Sequence, residues 1–246
     1  MKPQLAMVID SAKCMDCKGC MVSCKVANKV PEGHFRNWIK VKEVASPRPG
    51  RGRQGHFQPG ACMHCDKPLC VDACPTGATF KDAADGVVKI DRALCIGCGN
   101  CIPACPYGAR YRHPVLKVAD KCDYCPERRA KGLLPACVDT CPTMARVFGD
   151  INDPDSEAAR LLAANQGRIV RVVLADSDTK PNMYYLADTA PGDWPHKASI
   201  TPPMLALTKW ALPGVSALLG LAAAGVAAMA ARRFLIERGT NDGHGS

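Results

Sequence analysis

The chain has 246 residues, sixteen of them cysteine, with 5% aromatic residues, 22% charged residues and a formal charge of +9. So few aromatics make a poor side-chain core for a domain of this length, and the sequence lacks the alternating aromatic and basic residues of an RNA-binding surface. A disulfide framework suits a short secreted chain rather than one of this size.

The cysteines fall into four groups of four with none left over. They are Cys14, Cys17, Cys20 and Cys24; Cys62, Cys65, Cys70 and Cys74; Cys95, Cys98, Cys101 and Cys105; and Cys122, Cys125, Cys137 and Cys141. Three close thiols and a fourth, usually followed by proline, make the bacterial ferredoxin spacing, in which the fourth cysteine ligates the other cluster of a pair. At four thiolates per centre, the chain predicts four 4Fe-4S clusters. Structural zinc would want two-plus-two ligand sets, and the tight third cysteine of the first and third groups has no place there. An oxidised centre with its thiolates carries about −2, so four contribute about −8 and bring the loaded protein near +1. The lysines and arginines then read as counter-charge for buried clusters, not as a nucleic-acid surface. Metal-ligand free energy becomes folding free energy, so the apoprotein is expected to be largely unfolded.

In chain order, Met7-Val-Ile-Asp10-Ser-Ala-Lys-Cys14 is repeated as Val88-Lys-Ile-Asp91-Arg-Ala-Leu-Cys95, and Cys74-Pro-Thr-Gly-Ala-Thr-Phe80 as Cys141-Pro-Thr-Met-Ala-Arg-Val-Phe148. The second half thus repeats the first. A short apolar strand precedes each opening cysteine and another follows each closing Cys-Pro, with Asp85-Gly86 as a hairpin turn between Phe80 and Val87. Residues 25–61 form an insertion whose stretch Pro47 to Gly55 is basic and turn-rich, suited to a solvated loop or a partner contact. Beyond Phe148, Asp150 to Asp155 predicts a turn and cap, Ser156 to Asn165 a helix, and Arg168 to Leu174 a strand. This extension carries no evident ligand chemistry and is expected to wrap the cluster modules or dock a partner.

Ala211 to Ala231 holds no charged side chain and, at 1.5 Å per residue, would be about 31 Å long as a helix, near the ~30 Å hydrocarbon thickness. Trp210 at one edge and Arg232-Arg233 at the other favour one transmembrane span. Gly220 and Gly225 give it a small-residue face for a second helix, and it has no histidine to ligate a haem. Lys197 and Lys209 before the span, against Arg232, Arg233 and Arg238 after it, place the tail in the cytoplasm and the cluster domain outside. No signal peptide opens the sequence, so export would follow a partner bearing a twin-arginine signal.

Two stretches, Cys95-Ile-Gly-Cys-Gly-Asn-Cys-Ile-Pro-Ala-Cys-Pro-Tyr-Gly-Ala-Arg110 and Lys121-Cys-Asp-Tyr-Cys125 with Pro135-Ala-Cys-Val-Asp-Thr-Cys-Pro142, resemble a known family. It is that of the four-cluster ferredoxin-like electron-transfer subunits of molybdopterin oxidoreductases: polysulfide, thiosulfate, tetrathionate and dimethyl sulfoxide reductases and membrane-bound formate dehydrogenases. The resemblance covers Met7 to about Leu186. The fourth motif, Gly149 to Pro154 and Lys180 to Tyr185 look most like the polysulfide and tetrathionate branch, whereas the terminal helix looks more like formate dehydrogenase or hydrogenase-associated subunits. The resemblance implies crosswise ligation: Cys14, Cys17 and Cys20 with Cys141; Cys122, Cys125 and Cys137 with Cys24; Cys62, Cys65 and Cys70 with Cys105; and Cys95, Cys98 and Cys101 with Cys74. In some relatives the second cysteine of the third group is replaced and the site holds a 3Fe-4S centre; Cys98 is present here, so all four are expected to be 4Fe-4S. The repeat by itself leaves a pairing of adjacent motifs equally open.

The expected fold is α+β: two pseudo-symmetric dicluster ferredoxin-like modules with small antiparallel hairpins over residues 1–190, including the extension 149–190. A linker 191–209, a transmembrane helix 210–232 and a polar tail 233–246 follow. The expected role is that of a non-catalytic relay in the bacterial inner membrane, passing single electrons between a molybdenum or tungsten molybdopterin subunit and a quinone- or haem-bearing membrane subunit in anaerobic respiration. The rivals are the iron-sulfur subunit of a membrane-bound hydrogenase or other cytoplasm-facing redox complex, and an enzyme using an under-ligated cluster, which the complete fours disfavour.

Overall fold

A computed structural model of the chain describes residues 2–45, 52–173 and 178–186. The expected linker, transmembrane helix and tail lie outside the described residues. Among the described residues, no helix is long and apolar enough to cross a membrane.

The chain opens with β1 (Leu5–Asp10), a run of apolar residues buried at its centre. Asp10 then caps a single 3₁₀ turn, its carboxylate accepting from the Ala12 amide at 3.2 Å. Helix α1 (Gly19–Ala27) follows, and its end leads into β2 (Asn37–Ala45) and β3 (Arg53–Ala61), paired antiparallel along their whole length. The insertion is therefore mostly a long hairpin, with residues 46–51, which include the start of the turn-rich stretch, outside the described residues. Gly60, a strand breaker by composition, faces Trp38: a Cβ there would stand 2.5 Å from the indole nitrogen, so the ring lies where a side chain would be. Pro59 is tolerated because this sheet has only two strands, leaving β3 an open edge.

Next come α2 (Leu69–Asp72), β4 (Thr79–Lys81) paired with β5 (Val88–Ile90), and β6 (Arg110–Arg112) paired with β7 (Ala119–Lys121). Two short helices follow, α3 (Pro126–Arg129) and α4 (Ala136–Asp139), and then β8 (Arg146–Asp150), which returns to pair antiparallel with β1. Every hairpin thus joins the strand after one cysteine group to the strand before the next, and the pairing of β8 with β1 closes the circuit. That closure brings the fourth group back to the first.

The extension completes the sheet. Ser156 caps α5 (Glu157–Ala164) by accepting from the Ala159 amide at 3.1 Å. The expected strand is shorter, β9 (Ile169–Arg171), after a 3₁₀ turn at Gln166–Arg168. Finally β10 (Met183–Leu186) runs parallel to β1, giving the order β8-β1-β10-β9. The segment before β10 pins the second cysteine loop: Lys180 and Thr179 carbonyls accept from the Asp66 and Lys67 amides, and the Asn182 amide group donates to the His64 carbonyl at 3.0 Å. The extension therefore fastens a thiol group in place.

Candidate metal centres

The four cysteine groups share one local geometry. The third residue of the opening Cys-x-x-Cys of each group is left-handed: Asp16 at φ +57°, His64 at +44°, Gly97 at +68° and Tyr124 at +58°. At Gly97 a Cβ would meet the Lys117 carbonyl at 2.0 Å, so only glycine fits. In the first, second and fourth groups both thiols of the Cys-x-x-Cys line one cavity.

Short helices distribute the remaining thiols. Cys20 and Cys24 are four residues apart on α1, on one buried face, yet Cys20 lines the cavity of Cys14 and Cys17 while Cys24 lines that of Cys122, Cys125 and Cys137. Cys137 and Cys141 do the converse from α4 and the turn after it, so that Cys141 stands in the cavity of the first group. Ser23 on α1 donates to the Ala136 carbonyl at the start of α4 at 3.1 Å, tying the two helices together. The third cavity gathers Cys62, Cys65, Cys70 and Cys105. Of the last four, Cys101 is buried with Cys70, Val88 and Ala119, and Cys95 packs against them, while Cys98 is exposed and Cys74 partly buried. Among the described residues, no three Cys, His, Asp or Glu side chains close on a single-ion site. Twelve of the thiols stand around three voids instead.

Several sulfurs accept hydrogen bonds: Cys74 from the Thr79 amide at 3.4 Å, Cys95 from the Ala119 amide at 3.5 Å, Cys105 from the Ala109 amide at 3.5 Å, and Cys24 and Cys125 from the Asn28 side chain at 3.6 and 3.5 Å. Burial works against ionisation of Cys74 and Cys141, but the donors around each bring its thiol below the ordinary value. The enclosed thiols go the other way. Burial, with Cys137 and Cys125 alongside, pushes Cys24 up to about 12. Burial likewise pushes Cys65 up to about 12 and Cys70 and Cys137 up to about 11, and it drives Cys122 far up. Thiols so crowded ionise together only around a strongly cationic centre, which deprotonates its ligands outright. Donors that are all sulfur, set around a void in fours, fit a 4Fe-4S cluster.

Sequence reasoning found the cysteines but missed the polar residues packed among them. Arg146 is completely enclosed beside the first cavity, and its two terminal nitrogens have no hydrogen-bond partner. Arg110 donates to the Cys70 sulfur at 3.0 Å. Arg36, buried at the end of the first loop, donates to both oxygens of Asp120 at 2.7 and 3.1 Å and to Asp123 at 3.2 Å. Burial opposes ionisation of Asp120, but Arg36 holds its carboxyl below the usual range. The available signal was positional: Arg110 and Arg146 each follow a closing cysteine by five residues.

Fold and donor chemistry together define an iron-sulfur electron-transfer protein of the dicluster ferredoxin kind. Residues 8–78 and 54–151 each match a 4Fe-4S dicluster domain. The chain is 45% identical to Protein NrfC of Escherichia coli K12 over 179 residues, which is 72% of this chain and 78% of that one. It is 41% identical to a tetrathionate reductase subunit of Salmonella typhimurium, covering 74% and 71%, and 41% identical to the thiosulfate reductase electron transfer subunit PhsB of Salmonella typhi, covering 62% and 79%. The chain belongs to the ferredoxin-like electron-transfer subunits of molybdopterin oxidoreductases, and it binds 4Fe-4S clusters.

Proposed function

We propose that the chain carries four 4Fe-4S centres, ligated crosswise as the family resemblance implies, and relays single electrons between a molybdopterin catalytic subunit and a quinone- or haem-bearing membrane subunit. The observation that carries this reading is the shared cavity of Cys14, Cys17, Cys20 and Cys141, residues from opposite ends of the cluster region joined by the β8–β1 pairing. The clusters supply one-electron chemistry without bond making. The chain's own residues set the environment: amide donors on the sulfurs, buried cations and apolar walls.

The thiol sets form a sequence. Arg110 faces Cys70 and Cys101, so the Cys95 set adjoins the Cys62 set; His64 and Tyr124 join the Cys62 set to the Cys122 set; and α1 with α4 joins that set to the Cys14 set. Electrons would pass along that order in either direction. The names of the tetrathionate and thiosulfate relatives favour a complex acting on sulfur oxyanions. The apolar stretch 210–232 would anchor the chain in the inner membrane, with the cluster domain outside.

Substituting Cys98 by serine in the assembled complex tests the relay. Electron passage to quinone should stop while the catalytic partner still turns over with an artificial dye. Undiminished quinone-linked turnover in a variant that lacks this centre would overturn the reading.

A further inference from the structure

The geometry points to Arg110 and Arg146 as the potential-setting cations of the two cluster pairs, each shared by two neighbouring thiol sets. This inference rests on the proposed ligation. The two residues stand at the same offset, Cys105-Pro-Tyr-Gly-Ala-Arg110 and Cys141-Pro-Thr-Met-Ala-Arg146, and each opens a strand directly after the turn that follows the closing cysteine.

Both are nearly sealed from water, at 4% and 2% exposure. Among the described residues, no carboxylate pairs with either one. Arg110 donates to Cys70 at 3.0 Å and to the Thr79 hydroxyl at 3.2 Å, and its Nε is unpartnered. It faces Cys70 and Cys62 of one set and Cys101 of the next. Arg146 lines the cavity of the first set and faces Cys137 of the fourth as well as Cys20 of the first, with both terminal nitrogens unpartnered.

A buried guanidinium without a counter-ion is strongly disfavoured, and an arginine this enclosed stays protonated. The partners left for these two cations are the anionic thiolate-cluster assemblies on either side. Each assembly becomes more negative by one charge when it takes up one electron, and the arginine neither gains nor loses a proton. A fixed cation between two such centres therefore favours the reduced form of both. The sharing is local, because each arginine lies within its own pair.

The test is a potentiometric titration, read by electron paramagnetic resonance, of the full-length chain loaded with iron and sulfide under anaerobic conditions. Arg146→Gln should lower the one-electron reduction equilibrium of two centres at least tenfold, 59 mV each, and leave the other two within threefold of wild type. Arg110→Gln should lower the complementary two. The lysine variants, which keep the charge, should shift less than the glutamine variants and load iron fully. Unchanged potentials in an iron-replete glutamine variant, an equal shift of all four centres, or iron loss from the lysine and glutamine variants alike would overturn the assignment. If glutamine alone prevents loading, a tenfold shift in the lysine variant would overturn it. A wild-type chain that loads well under sixteen iron atoms would instead sink the four-centre reading beneath the proposal.

Discussion

The imidazole of His64 lies 4.0 Å, centroid to centroid, from the phenol ring of Tyr124. The two occupy the same place in their motifs, third in Cys62-Met-His-Cys65 and in Cys122-Asp-Tyr-Cys125, and both are left-handed and buried. The Val88 amide donates to His64 Nδ1 at 3.1 Å, so the ring is neutral at that nitrogen. Burial, with Lys121, Lys81 and Arg110 nearby, holds its pKa well below the ordinary histidine value. The pair is the contact through which the second and fourth groups meet. His64→Ala leaves a buried amide unpaired and opens a cavity, and should cost about 3 kcal/mol in the denaturant midpoint of the loaded protein. Tyr124→Phe removes a hydroxyl that has no partner and keeps the ring, so its midpoint should stay within about 0.5 kcal/mol of wild type or rise. A larger loss in Tyr124→Phe than in His64→Ala would contradict this account of the contact.

Three residues after the closing cysteine, the second and third groups place Gly77 at φ +67° and Gly108 at φ +60°, whereas the fourth places Met144 at φ +49°. A side chain in the left-handed region costs about 1–2 kcal/mol, and Met144 is 67% exposed, so little burial offsets it. Met144→Gly should therefore stabilise the loaded protein by about 0.5–1 kcal/mol, after allowing for glycine's greater backbone entropy. A lowered midpoint would show that the methionine is not strained.

Arg36 is the counter-ion of Asp120 and Asp123, and it also donates to Asn28, whose side chain reaches the Cys24 and Cys125 sulfurs. Arg36→Met would take from Asp120 its buried cation, leaving it Tyr111 and the more exposed Arg92, and would take the cation from the partly exposed Asp123 beside the cavity of the fourth group. Removing one partner of a buried pair costs about 3–5 kcal/mol. Because Asp120 keeps two partners, the expected outcome is a stability loss of about 3 kcal/mol, at the lower end of that range, with the spectrum of one centre altered first. An unchanged midpoint would mean the ion pair is not structurally needed.

The thiols of Cys24, Cys65, Cys70 and Cys137, pushed up to between about 11 and 12, are protonated at neutral pH until iron binds. Each thiol that becomes a ligand must release its proton, so loading should be favoured as pH rises and disfavoured as it falls. Reconstitution in weakly buffered solution, followed by pH-stat, should record net proton release. No release, or tighter loading at pH 6 than at pH 8, would contradict thiolate ligation.

What the chain made readable was its local chemistry. Cysteine spacing, the helix after the turn at 150–155 and the Asp85-Gly86 turn act over a few residues and appeared where expected, although the cap is Ser156 rather than a residue of the preceding aspartate-rich turn. The β2–β3 hairpin was hidden because the turn-rich stretch Pro47 to Gly55 reads as a loop, and Pro59 and Gly60 fit a strand only once the open edge and Trp38 are in place. The parallel pairing of Met7 with Met183 joins residues too far apart for any periodicity to reveal. Arg110 and Arg146 were missed for a different reason: the charge balance assigns the lysines and arginines to the clusters only as a group, and which of them are buried beside sulfur is set by tertiary packing.

Iron and acid-labile sulfide per chain, determined after anaerobic reconstitution and desalting, decide whether sixteen thiols serve four clusters. The expected result is about sixteen of each per chain, with a spin-coupled signal on reduction and no 3Fe-4S signal in fresh samples. A reproducible value near eight, or zinc in place of iron, would contradict the four-cluster relay.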